Sequence, residues 1–390
     1  MFSARTPHAL HHRFLKGVFS QSSVLKCGYE GGKTCEFARF CLNFEQKEKS
    51  VMLSPVWQQR IAFFKKNKRA KCALVVFSLV FVLSLFSELI ANDKPLLLKY
   101  KGHFYMPVFQ TLTDEFFGGD FPTPADYKDP LIRENINKNG FMIMPPIAFS
   151  YNTVDYELKT QTPSAPDRMH WLGTDDEGRD IVARILYGIR LSVVFAFILT
   201  FVSSATGIFI GAVQGYFGGK IDIFLQRFIE IWESLPQLFI LIIIASLFIP
   251  TFWTILLILM LFSWTSLTSM VRAEFLRTRN FEYVKAAKAL GVSNFRIILK
   301  HILPNALVTS LTFIPFILSE SIVALTSLDF LGLGLSDKYP SLGDLVRQGK
   351  DNLQAPWIGL SIFVVLAGLL TMLIFIGEGV RDSFDTRKSR

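Results

Sequence analysis

Three stretches of this chain carry no charged side chain: Leu191–Gly219, Ser234–Val271 and Asn352–Gly377. Roughly 20 mostly apolar residues are enough to cross a hydrocarbon core about 30 Å thick as a helix. Each stretch exceeds that length, and no alternating pattern of a closed barrel accompanies them. Helices are then the structures that satisfy every backbone hydrogen bond in lipid. Apolar residues make up 51% of the chain and charged ones 19%, so the reading is a multi-pass, all-α membrane protein.

The net charge of +9 would suit nucleic acid if it were spread over a surface. It is instead concentrated beside apolar runs. Arg60, Lys65, Lys66, Lys68, Arg69 and Lys71 stand without an acid directly before the first apolar run, the usual mark of the cytoplasmic side. Aromatic residues fall inside the apolar runs rather than among bases, and nucleic-acid binding is excluded on that pattern. Cys27, Cys35, Cys41 and Cys72 lack the paired close spacing of a zinc site and imply no disulfide framework. Gly31-Gly-Lys-Thr34 approaches a phosphate loop, but Cys27 stands where that pattern needs its first glycine. The chain is read as non-catalytic, with no cofactor.

These marks divide the chain into four parts. Residues 1–51 carry eight Lys/Arg against four Asp/Glu and read as a disordered extension before a second possible start at Met52. Residues 52–91 hold the basic flank and a first span, Cys72–Ala91. Residues 92–185 carry ten Lys/Arg and fourteen Asp/Glu, too long and polar for a connector. They read as a small periplasmic segment between helices 1 and 2, with strands expected at His103–Val108 and Phe141–Ile147. Residues 186–390 supply five more spans: Leu191–Gly215, two separated by a turn at Ile249-Pro250-Thr251, Leu307–Leu328 and Trp357–Gly377. Gly207, Gly211 and Gly215 share one helix face, which invites close approach by another helix. Six spans with both termini inside leave Arg272–Pro304, with seven Lys/Arg and two Asp/Glu, as a cytoplasmic loop.

Glu320 is a carboxylate deep within the fifth span, where charge is costly and usually faces a cavity or a partner. It is the candidate pathway residue. Its alternative role is structural, through another helix or through Ser319 or Ser321. With no His inside the spans, an intramembrane hydrolase lacks the required groups.

Residues 272–304 read physically as a helix–turn–helix lying off the membrane. Asn280 is expected to cap a helix that Gly291 stops, and Ser293 or Asn294 to cap a second one that runs to Pro304. Phe281, Val284 and Leu290 offer apolar grip. The run Lys285-Ala-Ala-Lys-Ala-Leu-Gly291, followed by His301-Ile-Leu-Pro304, resembles the EAA loop of ABC-importer permeases. Lys285 stands where that family has Glu, and His301 where it has the first Ile of its closing motif. The runs His170–Asp180 and Phe330–Gly334, with SELIANDKPLL at 87–97, VRAEFLRTRNF at 271–281 and IFIGEGVRDSFD at 374–385, resemble permeases of dipeptide and oligopeptide importers. They are most similar to the Yej-type group associated with microcin C.

The resemblance implies a subunit of the bacterial inner membrane that imports oligopeptides or peptide-like compounds. It implies a heterodimer with a second permease subunit, ATPase subunits that hydrolyse ATP on its behalf, and a periplasmic substrate-binding protein. It makes Glu282, Lys285, Ala286, Ala287, Leu290 and Gly291 the ATPase-coupling positions. Dipeptide or nickel cargo is the alternative within the family, and a non-transporting membrane scaffold the alternative outside it.

Overall fold

The computed structural model describes residues 55–384 apart from Asp120, Lys159, Ile249, Ser336 and Asp337. The expected extension at residues 1–51 and the Gly31–Thr34 run lie outside the described residues. The chain divides into two compact units, Met1–Ala62 and Phe63–Arg390. The described part of the first is the opening of helix α1 (Pro55–Lys66), and every later element belongs to the second.

Asn67 caps helix α2 (Lys68–Leu85) by accepting from the Ala70 amide at 3.3 Å. Ala70, Ala73 and Phe77 are buried, whereas Val75, Leu79 and Val82 are exposed. That division suits a helix with one face on a bundle and the other on lipid. A short turn, α3 (Ser87–Ile90), leads out of it.

The next segment adds a small sheet to an otherwise helical chain. Strands β1 (Leu97–Tyr100), β2 (His103–Tyr105) and β3 (Gly140–Ile143) form an antiparallel sheet of order β2-β1-β3. Lys101 and Gly102, both at positive φ, make the two-residue hairpin turn that matches strand twist. Leu98 and Tyr100 point to the same face and are buried with Phe117, Tyr127, Ile132 and Ile136, the last two on α4 (Pro130–Asn139). The strands expected at 103 and 141 are present but shorter. β1 was not expected, because its Leu-Leu-Lys-Tyr run is only four residues long and shows no clean alternation.

Helix α5 (Ile181–Phe217) has 37 residues, roughly 55 Å at 1.5 Å per residue. It is followed by α6 (Gly219–Ser234), α7 (Gln237–Leu247), α8 (Phe252–Ser263) and α9 (Thr265–Thr278). After a loop region come α12 (Leu303–Leu311), α13 (Ile314–Phe330), α14 (Leu342–Asp351) and α15 (Pro356–Phe384), the loop itself holding α10 (Glu282–Ala289) and α11 (Asn294–Ile297).

The glycine face of α5 receives α9. A Cβ at Gly207 would lie 2.6 Å from the Trp264 carbonyl oxygen, one at Gly211 2.7 Å from that of Thr268, and one at Gly215 2.5 Å from Phe275 Cβ. Backbones can approach this closely only because the side chains are absent.

The expected count of six spans meets a different arrangement. Among the described residues, three helices are long and apolar enough to cross a membrane: Ile181–Phe217, Phe252–Thr278 and Pro356–Phe384. A fourth arises if Asn294–Leu311 and Ile314–Phe330 count together, bent by 54°. Pro315 in the first turn of α13 explains the break, because proline cannot donate to the preceding turn. The expected third span is split at Pro236 into α6 and the 11-residue α7. Helix α2 opens on three cations, Lys68, Arg69 and Lys71, which leaves it short as an apolar run. The turn at Pro250 is present, and Thr251 caps α8 by accepting from the Thr254 amide at 3.3 Å.

Replacing Gly211 by Leu is expected to force α5 and α9 apart and destabilise the bundle by about 1–3 kcal/mol, the usual cost of overpacking. A thermal melt of the purified protein unchanged from wild type would contradict this contact.

Candidate functional site: the loop region and the opposite end of the bundle

The loop between α9 and α12 is built on apolar anchors. Val284 and Ala287 on α10 are buried with Phe275, Ile297 and Ile302. Their three-residue spacing puts them on one face. Tyr283, Ala286 and Leu290 line another face and are exposed, Leu290 at 83%, and Phe295 adds a ring at 72% exposure. An exposed leucine of this kind gains about 1.5–3 kcal/mol when covered.

Helix α10 stops through a two-bond C-terminal motif. The Gly291 amide donates to the Lys288 carbonyl at 3.0 Å and the Val292 amide to that of Ala287 at 3.1 Å. The motif needs a left-handed residue, and Gly291 sits at φ +78. Phe281, not Asn280, occupies the start of α10. The Asn280 side chain instead donates to the Leu276 carbonyl at 3.1 Å, closing α9, so the capping expectation is corrected. Ser293 stands at the start of α11 without a side-chain cap bond. The chain then passes through a wider, π-helical turn at Ile298–Ile302 directly into α12. Pro304 therefore lies in the first turn of α12, not in a bend.

The six coupling positions divide by exposure. Glu282, Lys285, Ala286, Leu290 and Gly291 are exposed, while Ala287 faces the loop's own core. Val284, expected to offer grip outward, is likewise turned inward. Lys285 pairs with Glu282 at 3.2 Å. The Asn305 side chain donates to the Tyr283 hydroxyl at 3.2 Å, close to His301, whose carbonyl accepts from that hydroxyl at 3.5 Å.

One ion pair fastens this region to α6, and hydrogen bonds fasten it to α5. Arg272 grips Asp222 with two nitrogens at 2.5 and 2.9 Å, the fork geometry in which arginine is strongest. Arg279 donates to the Gly215 and Tyr216 carbonyls at 3.2 and 3.3 Å, closing the C-terminus of α5. The Tyr216 hydroxyl donates to Asn294 at 2.7 Å.

At the other end of α5 the His170–Asp180 run folds into a buried polar cluster. Asp180 caps α5 by accepting from the Ala183 amide at 2.8 Å, while its second oxygen meets His170 Nδ1 at 2.8 Å. Asp155 meets His170 Nε2 at 3.2 Å. Asp175 accepts from Arg179 at 2.8 Å and also binds Arg184. Arg184, 1% exposed, reaches Asp344 of α14 at 2.8 Å across 160 residues of sequence. Asp329 accepts from the Leu335 amide at 2.7 Å and from the Ser341 hydroxyl. Gly334 is required there, because a Cβ would collide with the Asp329 carboxylate. The Ser341 hydroxyl also accepts from the Asp344 amide at 3.1 Å, so the 170–180 run and the loop from Asp329 to Ser341 meet in one network. Sequence reading missed its members Arg184, Asp329 and Asp344, and the only available signal was charge at the edges of apolar runs.

Glu320 lies midway along α13 and is exposed in this chain. Ser319 and Ser321 donate back to the Pro315 and Ile317 carbonyls of their own helix. Among the described residues Glu320 has no hydrogen-bonding or ionic partner, so the expected local serine bonds are not made.

A set of membrane-length helices bearing a compact helical loop off one end defines a multi-pass membrane protein. Comparison with known proteins gives the particular family. Residues 207–390 match the family described as binding-protein-dependent transport system inner membrane component. The chain is 53% identical over 337 residues to the inner membrane ABC transporter permease protein YejE of Escherichia coli K12, covering 86% of this chain and 99% of the relative. It is 49% identical over 367 residues to the peptidoglycan transport system permease protein YejE of Agrobacterium fabrum, covering 88% and 96%. The oligopeptide transport system permease protein OppC of Haemophilus influenzae is 33% identical over 61% of this chain and 77% of its own length. A solved inward-facing structure of the MetNI methionine ABC transporter aligns at TM-score 0.45 and 17% identity, covering 51% of this chain and 96% of that one. The chain belongs to the family of inner-membrane ABC transporter permeases. It is the membrane-embedded, non-catalytic part of such a system.

The His170 ring carries a pH prediction. Burial alone disfavours its charged form, but the hydrogen bonds and charges of Asp180 and Asp155 outweigh it and raise the pKa above 6.5. The tether is therefore fully present below pH 6.5 and is lost as pH rises through the raised value. Amide protection in residues 164–180, taken relative to the intrinsic exchange rate at each pH, is expected to fall on that rise in wild type, and His170→Gln to remove this pH dependence. Equal pH dependence in the variant would refute the tether.

Arg184→Ala is expected to destabilise the fold by about 3–5 kcal/mol, because Asp175 and Asp344 lose a shared buried cation. A denaturant midpoint within error of wild type would contradict that.

Proposed function

We propose that this chain carries oligopeptides or peptide-like compounds, of the microcin C type, inward across the bacterial inner membrane. The observation that carries the reading is the exposed apolar face of α10, Tyr283–Ala286–Leu290, on a loop held by its own core and by Arg272 and Arg279. The names of the relatives support it, since they are permeases for oligopeptides, dipeptides and, in one case, peptidoglycan.

In this reading six segments cross the membrane, α2 and the α6–α7 pair adding to the four long or bent spans, with both termini in the cytoplasm. Residues 92–185, with their small sheet, stand in the periplasm. A second permease completes the pathway, and a binding protein delivers cargo from the periplasm. An ATPase subunit covers Leu290, with Glu282, Lys285, Ala286 and Gly291 around it. ATP-driven closure moves α10, and the motion passes into α9 and α5 so that the bundles rock between outward and inward access. Glu320, unpaired among the described residues, supplies a carboxylate to an amino terminus or basic group of the cargo.

Two experiments test this. A strain lacking the gene is expected to lose peptide uptake and to resist a microcin C-type compound, and complementation to restore both. Normal uptake and sensitivity in the deletion strain would overturn the cargo assignment. Leu290→Asp is expected to weaken ATPase co-purification by about tenfold or more, since a buried charge replaces an apolar anchor. The variant protein should still reach the membrane; full co-purification would overturn the docking face.

A further inference from the structure

The ends of two apolar helices meet the flank of a third, where its uncharged run begins, at one cavity of about 440 Å³. Leu85 is the last residue of α2, Phe252 is the first of α8, and Leu191 begins the uncharged run of α5. Such a position is where membrane-crossing helices meet the headgroup layer. The cavity's polar side is Arg190 with Tyr151, Tyr187 and Tyr339, and its apolar side includes Leu191 and Val194.

Arg190 is held in place rather than left to wander. Its guanidinium lies 4.8 Å from the Tyr187 ring centroid, and one nitrogen is 3.4 Å from Glu88. Tyr187 is itself fixed, donating to the Ala91 carbonyl at 3.0 Å and packing against Tyr151 at 4.9 Å. Among the described residues, the hydroxyls of Tyr151 and Tyr339 have no hydrogen-bond partner. The remaining donors of the Arg190 fork are likewise open, and such a fork matches a phosphate.

Two further observations narrow the ligand. First, the face of α5 that begins at Arg190 and Val194 continues through Phe197 and Phe201, 44% and 77% exposed. Their spacing by three and four residues keeps them on one side of the helix, so an apolar track leads from the cavity along a membrane-spanning helix. A freely soluble anion has no use for that track, but an acyl chain does. Second, Glu88 stands beside Arg190, so the site presents both signs of charge within a few ångströms. A headgroup with only negative charge would face the Glu88 carboxylate.

We propose that this cavity is a binding site for a phospholipid with a zwitterionic amine headgroup, of the phosphatidylethanolamine class. The phosphate lies on Arg190 and the open tyrosine hydroxyls, the primary ammonium on Glu88, and a chain along Val194, Phe197 and Phe201. The site is distinct from the loop region at the far end of α5 and from Glu320, and the lipid-binding arms of its test do not depend on the identity of the cargo.

The experiment is native mass spectrometry of the purified complex of this chain with its partner subunits. The complex is delipidated and then titrated separately with phosphatidylethanolamine, phosphatidylglycerol, phosphatidylcholine and inorganic phosphate. Wild type is expected to hold one more tightly bound phosphatidylethanolamine than Arg190→Gln, whose affinity at that site falls by about tenfold or more with loss of the charged fork. Val194→Trp fills the cavity without altering charge and is expected to lose the same lipid. Glu88→Gln is expected to bind phosphatidylglycerol at least as well as phosphatidylethanolamine. Equal lipid counts in wild type, Arg190→Gln and Val194→Trp would overturn the proposal. Displacement of the lipid by inorganic phosphate, or by a peptide cargo at transport-supporting concentration, would overturn it too, assigning the cavity to a soluble anion or to cargo.

Discussion

Contact between α5 and α9 sets the position of nearly everything that matters in this chain. Inside lipid, apolar side chains gain nothing by leaving one apolar surroundings for another, so close packing must supply the attraction. Gly207, Gly211 and Gly215 let the α9 backbone settle directly on α5. The end of α9 is then brought beside the end of α5. Arg272 can reach Asp222, and Arg279 can reach the open carbonyls of Gly215 and Tyr216. The loop after α9 inherits its place from those bonds and needs only a small core of its own. Larger residues on the glycine stripe would displace α9, and the loop with it.

Polar chemistry is concentrated at the opposite end of α5. Arg184 is almost fully buried between Asp175 and Asp344, and a buried ion pair of this sort is a poor source of net stability. Its effect is on specificity of arrangement. It selects one seat for the 170–180 run and one for α14, and Asp329 does the same for the 330–341 loop. Glycines at 173 and 334 complete the fit, the first because a Cβ would strike the Ser164 carbonyl oxygen and the Trp357 ring, the second because of Asp329 itself. One end of the bundle is therefore held by a buried charge network, and the other by close backbone contact together with Arg272 and Arg279.

Features with a short-range physical cause were legible in the sequence. Uncharged runs marked α5, α8 and α15, the i, i+4 glycines marked the helix contact, and Gly291 marked the end of α10. Local chemistry was misread where two causes compete. Asn280 can cap the helix after it or close the helix before it, and the second is what occurs. Pro315 was visible, but an apolar run long enough for one straight span concealed the 54° bend it causes. Val284 and Ala287 looked like docking residues because a short amphipathic helix does not reveal which apolar face is already covered. The Arg184–Asp344 pair was out of reach altogether, since its partners are 160 residues apart and nothing in either neighbourhood names the other.

On the transport reading, the same distribution of contacts determines where motion is absorbed. Helix α9 cannot slide or tilt freely on α5 while its carbonyl oxygens rest on the glycines and Leu267, Val271 and Phe275 are packed between the two helices. Force applied at α10 therefore moves α9 and α5 together, and Arg272–Asp222 carries α6 along. Deformation must occur where helical hydrogen bonding is already interrupted: at Pro236 between α6 and α7, around Pro250 between α7 and α8, and at Pro315 between α12 and α13. Hinges are residues at element ends that absorb backbone rotation, and all three prolines satisfy that condition. The wider turn at Ile298–Ile302 is a fourth interruption, placed between α10 and the bent pair. The bundle thus consists of a stiff pair, α5 with α9, flanked by segmented helices, and Glu320 is carried on a segmented one. A carboxylate mounted there changes its surroundings when the bundle rocks, which a residue on the α5–α9 contact would not do.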